Sequence, residues 1–362
     1  MAHWHEPTDA CVASVHKWAL NESSGLGFRV NAANGLKWLT SRLADAVLLP
    51  CADPATRPVL VDVGAAMHST KMWFKRMNPD DSDALYLLAD FKDRGDVHAF
   101  ESNAAKAQEI VDVAKEREPT APYVRHLSVH AMGVADAERT DHVARCGWPN
   151  TWMLKHTSQG RACGRGHAVN TTSLDAFARH RAWSRIAYVK VDVEGAEVQV
   201  LRGMHQMLRE GRVTLASFEY AVNWSPLFDK PRALTANETR GLGDASLAQF
   251  QRTLWHEYGY RTYLIHAVPA RWVGAAPRRT RTASKNATAA PVPLVTLVPI
   301  YGKFWTPELE ICANRRRFYG NWGHCWSDVL VVHHAARCVR KRLLALMHGT
   351  DAVFPGCEGA AI

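Results

Sequence analysis

From Val59 onward the chain repeats one pattern: a short apolar run, a break, then a longer stretch whose apolar residues recur every three or four positions. Short apolar runs alternating with helical periodicity are the signature of βαβ units and a mostly parallel sheet. The runs predict strands at 59–63, 97–100, 123–130, 187–193, 213–220, 261–266 and 294–300. The periodic stretches predict helices at 104–116, 174–181, 196–210 and 245–258. In the third of these, Val200, Leu201, Met204, Met207 and Leu208 share one face, which reads as core. The fold class is therefore α/β, a mostly parallel, roughly seven-stranded sheet with helices on both faces.

The segments outside this pattern read as appendages. Residues 1–57 form a mixed helical preface in which Trp18, Leu36, Trp38, Leu39, Leu43 and Val47 can pack on the core, closed by Pro50, Pro54 and Pro58. Residues 269–293, rich in Pro, Ala, Thr and Arg, lack periodicity and read as a flexible basic loop. After Arg337 the chain is basic, then small and polar apart from Val353 and Phe354, so a poorly ordered tail is expected. The expected organisation is a preface at 1–57, the α/β domain at 58–336 and the tail at 337–362.

Composition narrows the function classes. At 362 residues and 47% hydrophobic, the chain can bury one large core and carry extensions. No apolar run reaches the roughly eighteen residues of a membrane span, and the start carries His3, His5, Glu6, Asp9 and Lys17, so no signal peptide is visible. The formal charge of +9 sits largely in 271–285, in Arg315, Arg316 and Arg317, and in 337–342, flanking the core rather than lining one surface. That distribution argues for solvated faces and against nucleic acid as the partner.

The eight cysteines, Cys11, Cys51, Cys146, Cys163, Cys312, Cys325, Cys338 and Cys357, show no CxxC pair and no zinc-type spacing, so no metal cluster is expected. Their even number, with glycosylation sequons at Asn21, Asn223, Asn237 and Asn286, fits a lumenal protein. Chance can supply most of these, so the expected compartment is the cytoplasm, with a lumen as the alternative.

Three constellations carry chemistry. The first is the strand 59–63, which contains Asp62 and runs into Gly64 at the turn toward a helix. Such a turn can aim backbone N–H groups and a helix N-terminus at an anion, although any strand-to-helix turn can need glycine. The second is Glu101, with Ser102 beside it, closing the next strand. A carboxylate there is placed to accept both hydroxyls of an adenosine ribose, or it is an exposed strand-end residue. The third is the run 189–197, Val-Lys-Val-Asp-Val-Glu-Gly-Ala-Glu. Strict alternation puts Lys190, Asp192 and Glu194 on one face of a strand that should be apolar on both, so these charges need water, one another or a ligand. Glu197 then falls in the first helical turn, where the macrodipole favours a carboxylate, and the following strand carries Glu219. A structural lysine–carboxylate network would look the same.

Taken together and in this order, the constellations resemble the FkbM family of methyltransferases over roughly residues 59–224. The family's Thr-Thr-Ser-Leu-Asp segment, its Lys-x-Asp-x-Glu-Gly-x-Glu strand and turn, and its strand ending in Phe-Glu are met at 171–175, 190–197 and 218–219. Its Asp-x-Gly-Ala-Asn-x-Gly motif is met at Asp62, Gly64 and Ala65, and its Ala-Phe-Glu-Pro motif at Ala99, Phe100 and Glu101. There are departures. Ala66 stands where Asn is usual, His68 where the second Gly is usual, and 69–95 is longer than the family places between these motifs.

The resemblance implies a Rossmann-like class I methyltransferase that binds S-adenosyl-L-methionine and methylates a hydroxyl on a small molecule, sugar or lipid. Asp62, Gly64, Ala65, His68, Glu101, Ser102 and Asp192 would form the cofactor site. Asp192, Glu194 and Glu219 are the candidate base or acceptor-orienting carboxylates, with Lys190 holding one of them ionised. His68 has three readings: a hydrogen bond to the cofactor carboxylate, a steric block, or a side chain packed aside. Clustered carboxylates can also hold Mg²⁺, which this spacing does not demand. The acceptor pocket is expected in variable loops at 139–168 and 225–244. Two other classes compete. A dinucleotide-dependent oxidoreductase would share Gly64 and Glu101 but lacks G-x-G-x-x-G, since positions 66 and 69 are Ala and Ser. A non-catalytic binding protein on the same fold would keep adenosine affinity and transfer nothing.

Overall fold

The run Val59–Val63 forms β1, buried in the middle of a twisted sheet because its valines and leucine are apolar toward both faces. The computed structural model describes residues 8–24, 39–65, 83–146, 151–154, 166–193, 195–220, 246–268, 294–306 and 327–346. Beside β1 lie β2 (Asp96–Phe100) and then β3 (Leu127–His130), all parallel. Four short strands follow in the chain, β4 (Gly133–Val134), β5 (Arg139–Cys146), β6 (Thr151–Leu154) and β7 (His167–Thr172), which build a separate sheet in the order β4-β7-β5-β6. The chain then returns to the other side of β1 as β8 (Ile186–Val191), followed outward by β9 (Val213–Tyr220).

Past β9 the direction changes. The outer strands are β10 (Tyr260–Val268), β11 (Leu294–Pro299) and β12 (Ser327–His333), and the full order is β11-β10-β12-β9-β8-β1-β2-β3. β12 runs antiparallel between β9 and β10, and β11 antiparallel to β10, so the sheet is mixed at that edge. The winding reverses between β1 and β8, and the crevice outside the carboxyl ends of strands at such a switch point is where open α/β sheets bind ligands.

The helices are α1 (Asp9–Ser24), α2 (Asp83–Phe91), α3 (Ala104–Arg117), α4 (Leu174–His180), α5 (Glu197–Arg202), α6 (His205–Arg209), α7 (Leu247–His256) and α8 (Arg337–Leu346). Side-chain caps set three of their starts: Asn103 accepts from the amides of Ala105 and Lys106, Ser173 from Ala176, and Ser246 from Gln249. Among the described residues no helix is long and apolar enough to cross a membrane.

Four expectations are corrected. The helix expected at 196–210 is two helices: a Cβ on Gly203 would meet the backbone oxygen of Ala135 at 1.9 Å. The Asp175 carboxylate also caps a fresh helical start at the amides of Gln206 and Met207. The strand expected from 123 begins only at Leu127, because Pro122–His126 form a 3₁₀ turn. The loop expected at 139–168 contains β5, β6 and the start of β7. Lastly, the tail expected to be poorly ordered from 337 is helical over Arg337–Leu346. Val339 and Leu343, one helical turn apart, bury against the core, an amphipathic stripe masked in the sequence by the surrounding Arg and Lys.

One continuous apolar cluster joins Val15, Leu43 and Val47 of the preface, the strands of the large sheet, and Val339 and Leu343 of α8. A disulfide between Cys51 and Cys338 ties preface to α8 across 287 positions of sequence. Closing so long a loop puts its contribution toward the upper end of the usual ~2–5 kcal/mol.

Candidate active site

The tips of β1, β2 and β8 are stitched together by backbone hydrogen bonds. Gly64 N and Ala65 N both donate to Phe100 O, at 2.9 and 3.1 Å, Asp192 N donates to Val63 O at 2.9 Å, and Glu101 N donates to His130 O at 3.1 Å. Gly64 turns with φ +85°, and a Cβ there would lie 1.8 Å from Asp192 O. Position 64 therefore admits glycine both for its backbone conformation and for the close approach of β8. Gly64, Glu101 and Asp192 stand around one point at the switch of the sheet.

The profile of the Methyltransferase FkbM domain family matches residues 62–262, which include all three tips and more than half of the chain. The chain belongs to the FkbM methyltransferase family. Among solved structures it is similar to methyltransferase FkbM from Methylobacillus flagellatus KT, at 14% identity over 45% of this chain and 33% of that one, with a TM-score of 0.30. This chain thus spans about a third of that protein's length. It is also similar to precorrin-6y C5,15-methyltransferase from Geobacter metallireducens GS-15, at 8% identity over 83% and 86% of the two chains, with a TM-score of 0.30. The assignment rests on the family match and not on these two likenesses. No curated protein matches the chain.

In this member of the FkbM family the charged face of β8 is satisfied by a network. Lys190, almost fully buried, is in register with Asp62 of β1 and Ser217 of β9, so the three share a face. Its Nζ lies 2.8 Å from Asp83 of α2, 3.2 Å from Asp192 and 3.7 Å from Asp62. Burial pulls the Lys190 ammonium down, but Asp192, Asp83 and Asp62 together carry it well above the ordinary lysine value, so it is charged.

The carboxyls respond differently. Asp62 is wholly buried, and burial pushes it up to about 7, against the pull of Lys190 and with the push of Asp83 and Asp192. Asp328 of β12, opposite Glu219 in register, is pushed up to about 8, first by burial and then by the charge of Asp192. Asp192 is the most accessible member, its side chain 38% exposed against 32% for Asp83. Lys190 occupies the point where the carboxylates converge, and among the described residues no group of three or more His, Cys, Asp or Glu could hold a metal ion.

Two acidic residues anchor the tips. Glu197 is buried, and its two oxygens accept from Val193 N at 3.1 Å and Gly195 N at 3.0 Å, clamping the turn after β8. Burial raises it to about 8 even so. Glu101 accepts through Oε1 from Asn103 N at 2.7 Å and from the Ser102 hydroxyl at 3.4 Å, and burial raises its carboxyl. Its second oxygen has no hydrogen-bond partner among the described residues.

The predicted site residues thus divide. Asp62, Gly64, Ala65, Glu101, Ser102, Lys190 and Asp192 come together at the switch point. Glu219 is half-buried on β9, on the face shared by Ser217 and Lys190. His68 and Glu194 lie outside the described residues. One detail is corrected: the Gly64 and Ala65 amides, expected to face an anion, are both spent on Phe100 O.

Sequence reasoning missed Asp83, Asp328 and the 2.6 Å hydrogen bond between Tyr188 and Ser217 at the floor of the network. Asp83 reads in sequence as an ordinary acidic helix start. Asp328 sits at the front of the apolar run Val-Leu-Val-Val, a strand signal that was available.

Proposed function

We propose that the protein transfers the methyl group of S-adenosyl-L-methionine to a hydroxyl of a small molecule, sugar or lipid. The observation that carries this reading is the junction of the three strand tips, where a glycine too crowded for any Cβ touches Asp192 and lies beside a carboxylate with one oxygen still open. That arrangement suits the cofactor. The open oxygen of Glu101 can accept a ribose hydroxyl, and the carboxylates of the network exceed its single ammonium, an electrostatic surplus suited to a sulfonium cation.

When bound, the cofactor supplies an electrophilic methyl carbon. The chain's own task is to orient and to move one proton. Glu197 fixes the turn that carries Asp192; Lys190, held by Asp83 and Asp62, keeps the Asp192 carboxylate in place. Asp192, the most exposed member, is positioned to accept the hydroxyl proton as the acceptor oxygen attacks, with Glu219 and Glu194 as orienting partners. Asp62 and Lys190, both buried, act through Asp192.

The cysteines support a reading of the compartment. The Cys51–Cys338 bond, with Cys11 also disulfide-bonded, favours an oxidising lumen over the cytoplasm.

The test is to incubate the full chain with methyl-labelled S-adenosyl-L-methionine and panels of hydroxyl-bearing sugars, lipids and polyketides. Label should appear on oxygen, and Asp192→Asn should lower kcat by about 10²–10⁴, a larger loss than the weakening of cofactor binding that follows from removing its charge. Label on nitrogen or carbon contradicts the hydroxyl acceptor, and cofactor binding without transfer to any acceptor favours the non-catalytic reading.

A further inference from the structure

A sequon beyond those at Asn21, Asn223, Asn237 and Asn286 lies in the chain, Asn170-Thr171-Thr172, and it falls on β7 of the small sheet. Strand alternation turns its neighbours Val169 and Thr171 inward, both buried, and leaves the Asn170 side chain exposed. Its Oδ1 accepts from the Thr140 hydroxyl across the β5–β7 pair at 3.3 Å. Its Nδ2 has no hydrogen-bond partner among the described residues. Around it, Thr140, His142 and Ala168 are exposed as well, so the strand pair offers an open surface.

We propose that Asn170 carries an N-linked glycan, attached in the oxidising lumen in which the Cys51–Cys338 bond forms. Two independent observations converge on it. The disulfides place the chain where glycosylation occurs. The sequon itself presents the reacting nitrogen to solvent from an extended segment, the condition such an acceptor needs.

The donor is a lipid-linked oligosaccharide pyrophosphate. The bond from sugar C1 to the pyrophosphate oxygen breaks, a bond from C1 to Nδ2 forms, the amide gives up one proton, and the lipid pyrophosphate leaves. The glycan would stand on the small sheet's outer surface, and Asn170 has no part in the strand-tip site, so this inference can fail without touching the methyltransferase reading.

The test uses the full chain, affinity-tagged and recovered from its own cells, with thiols alkylated before reduction. Treatment with peptide N-glycosidase should convert Asn170 to Asp, Asn170→Gln should remove one glycan's worth of gel retardation, and Thr172→Ser, which keeps the sequon, should retain it. Cys51 and Cys338 should escape the first alkylation. An unconverted Asn170 overturns the proposal, whether the other sequons are modified, Cys51 and Cys338 are alkylated as free thiols, or neither.

Discussion

On one face of β1, β8 and β9, Asp62, Lys190, Ser217 and Tyr188 join Asp83, Asp192 and Asp328 in an ionic network. On the other face of the same sheet His98 and His130 are hydrogen-bonded at 3.1 Å and packed among Phe100, Phe177 and Trp183. Both faces bury ionisable groups, yet burial acts on them in opposite senses. It raises Asp62 to about 7 and Asp328 to about 8. It lowers His98 and His130 to about 4, helped at both by Arg181 and at His98 also by His130. The histidine face settles the matter by staying neutral. The carboxylate face cannot, because Lys190 remains charged and needs a partner. One face is therefore packing, and the other stores charge beside the strand tips.

The largest expected effect tests that asymmetry. Lys190→Met leaves Asp83 and Asp192 without their cation and should cost on the order of 3–5 kcal/mol by chemical denaturation. The loss should be smaller at pH 6 than at pH 8, because Asp62 can take up a proton. By contrast, His98→Leu with His130→Leu should cost less at neutral pH, since no charge is stranded. If the two variants lose equal stability at every pH, the contrast between the faces is wrong.

A smaller effect sits at the floor of the network. Ser217→Ala strands the buried Tyr188 hydroxyl and should cost about 1–3 kcal/mol, whereas Tyr188→Phe with Ser217→Ala should recover part of it in a double-mutant cycle.

The subtlest prediction concerns pH. Asp62 and Asp328 titrate higher folded than unfolded, so the stability they confer is full below about pH 4 and is lost as pH rises toward 7–8. His98 and His130 titrate lower folded than unfolded, so theirs is full above about pH 6.5 and is lost as pH falls through 4. Between about pH 4 and 6.5 the two pairs oppose each other, and above 6.5 the carboxyls act alone, so melting temperature should change little up to pH 6.5 and fall toward pH 8. Asp328→Asn should lessen that alkaline fall, the double His→Leu variant should make the fall begin near pH 4, and the reverse pairing contradicts the assignment of faces.

The parts of the molecule that sequence exposes are those written in one stretch of chain. Alternation in 189–193 announced a charged strand face, and Gly64 and Glu101 announced themselves as residues closing apolar runs. Asp83 and Asp328 did not, because each comes from an element more than a hundred positions from Lys190 and each has an unremarkable local reading. Periodicity says which way a side chain points, not which distant residue it meets. The same holds for Val339 and Leu343, whose burial depends on the preface lying beneath them, and for Cys51 and Cys338, whose pairing no spacing reveals. The split at Gly203 escaped because its cause is the backbone of Ala135, a contact from another part of the fold.

The central claim, that the strand tips hold an adenosyl sulfonium, is tested most directly by calorimetric titration of the full chain and of Glu101→Ala with S-adenosyl-L-methionine, S-adenosylhomocysteine and NAD. Both sulfur compounds should bind the native chain, and losing the ribose hydrogen bonds should weaken them on the order of a hundredfold in Glu101→Ala. Binding of NAD without the sulfonium compound, or cofactor affinity indifferent to Glu101, would contradict it.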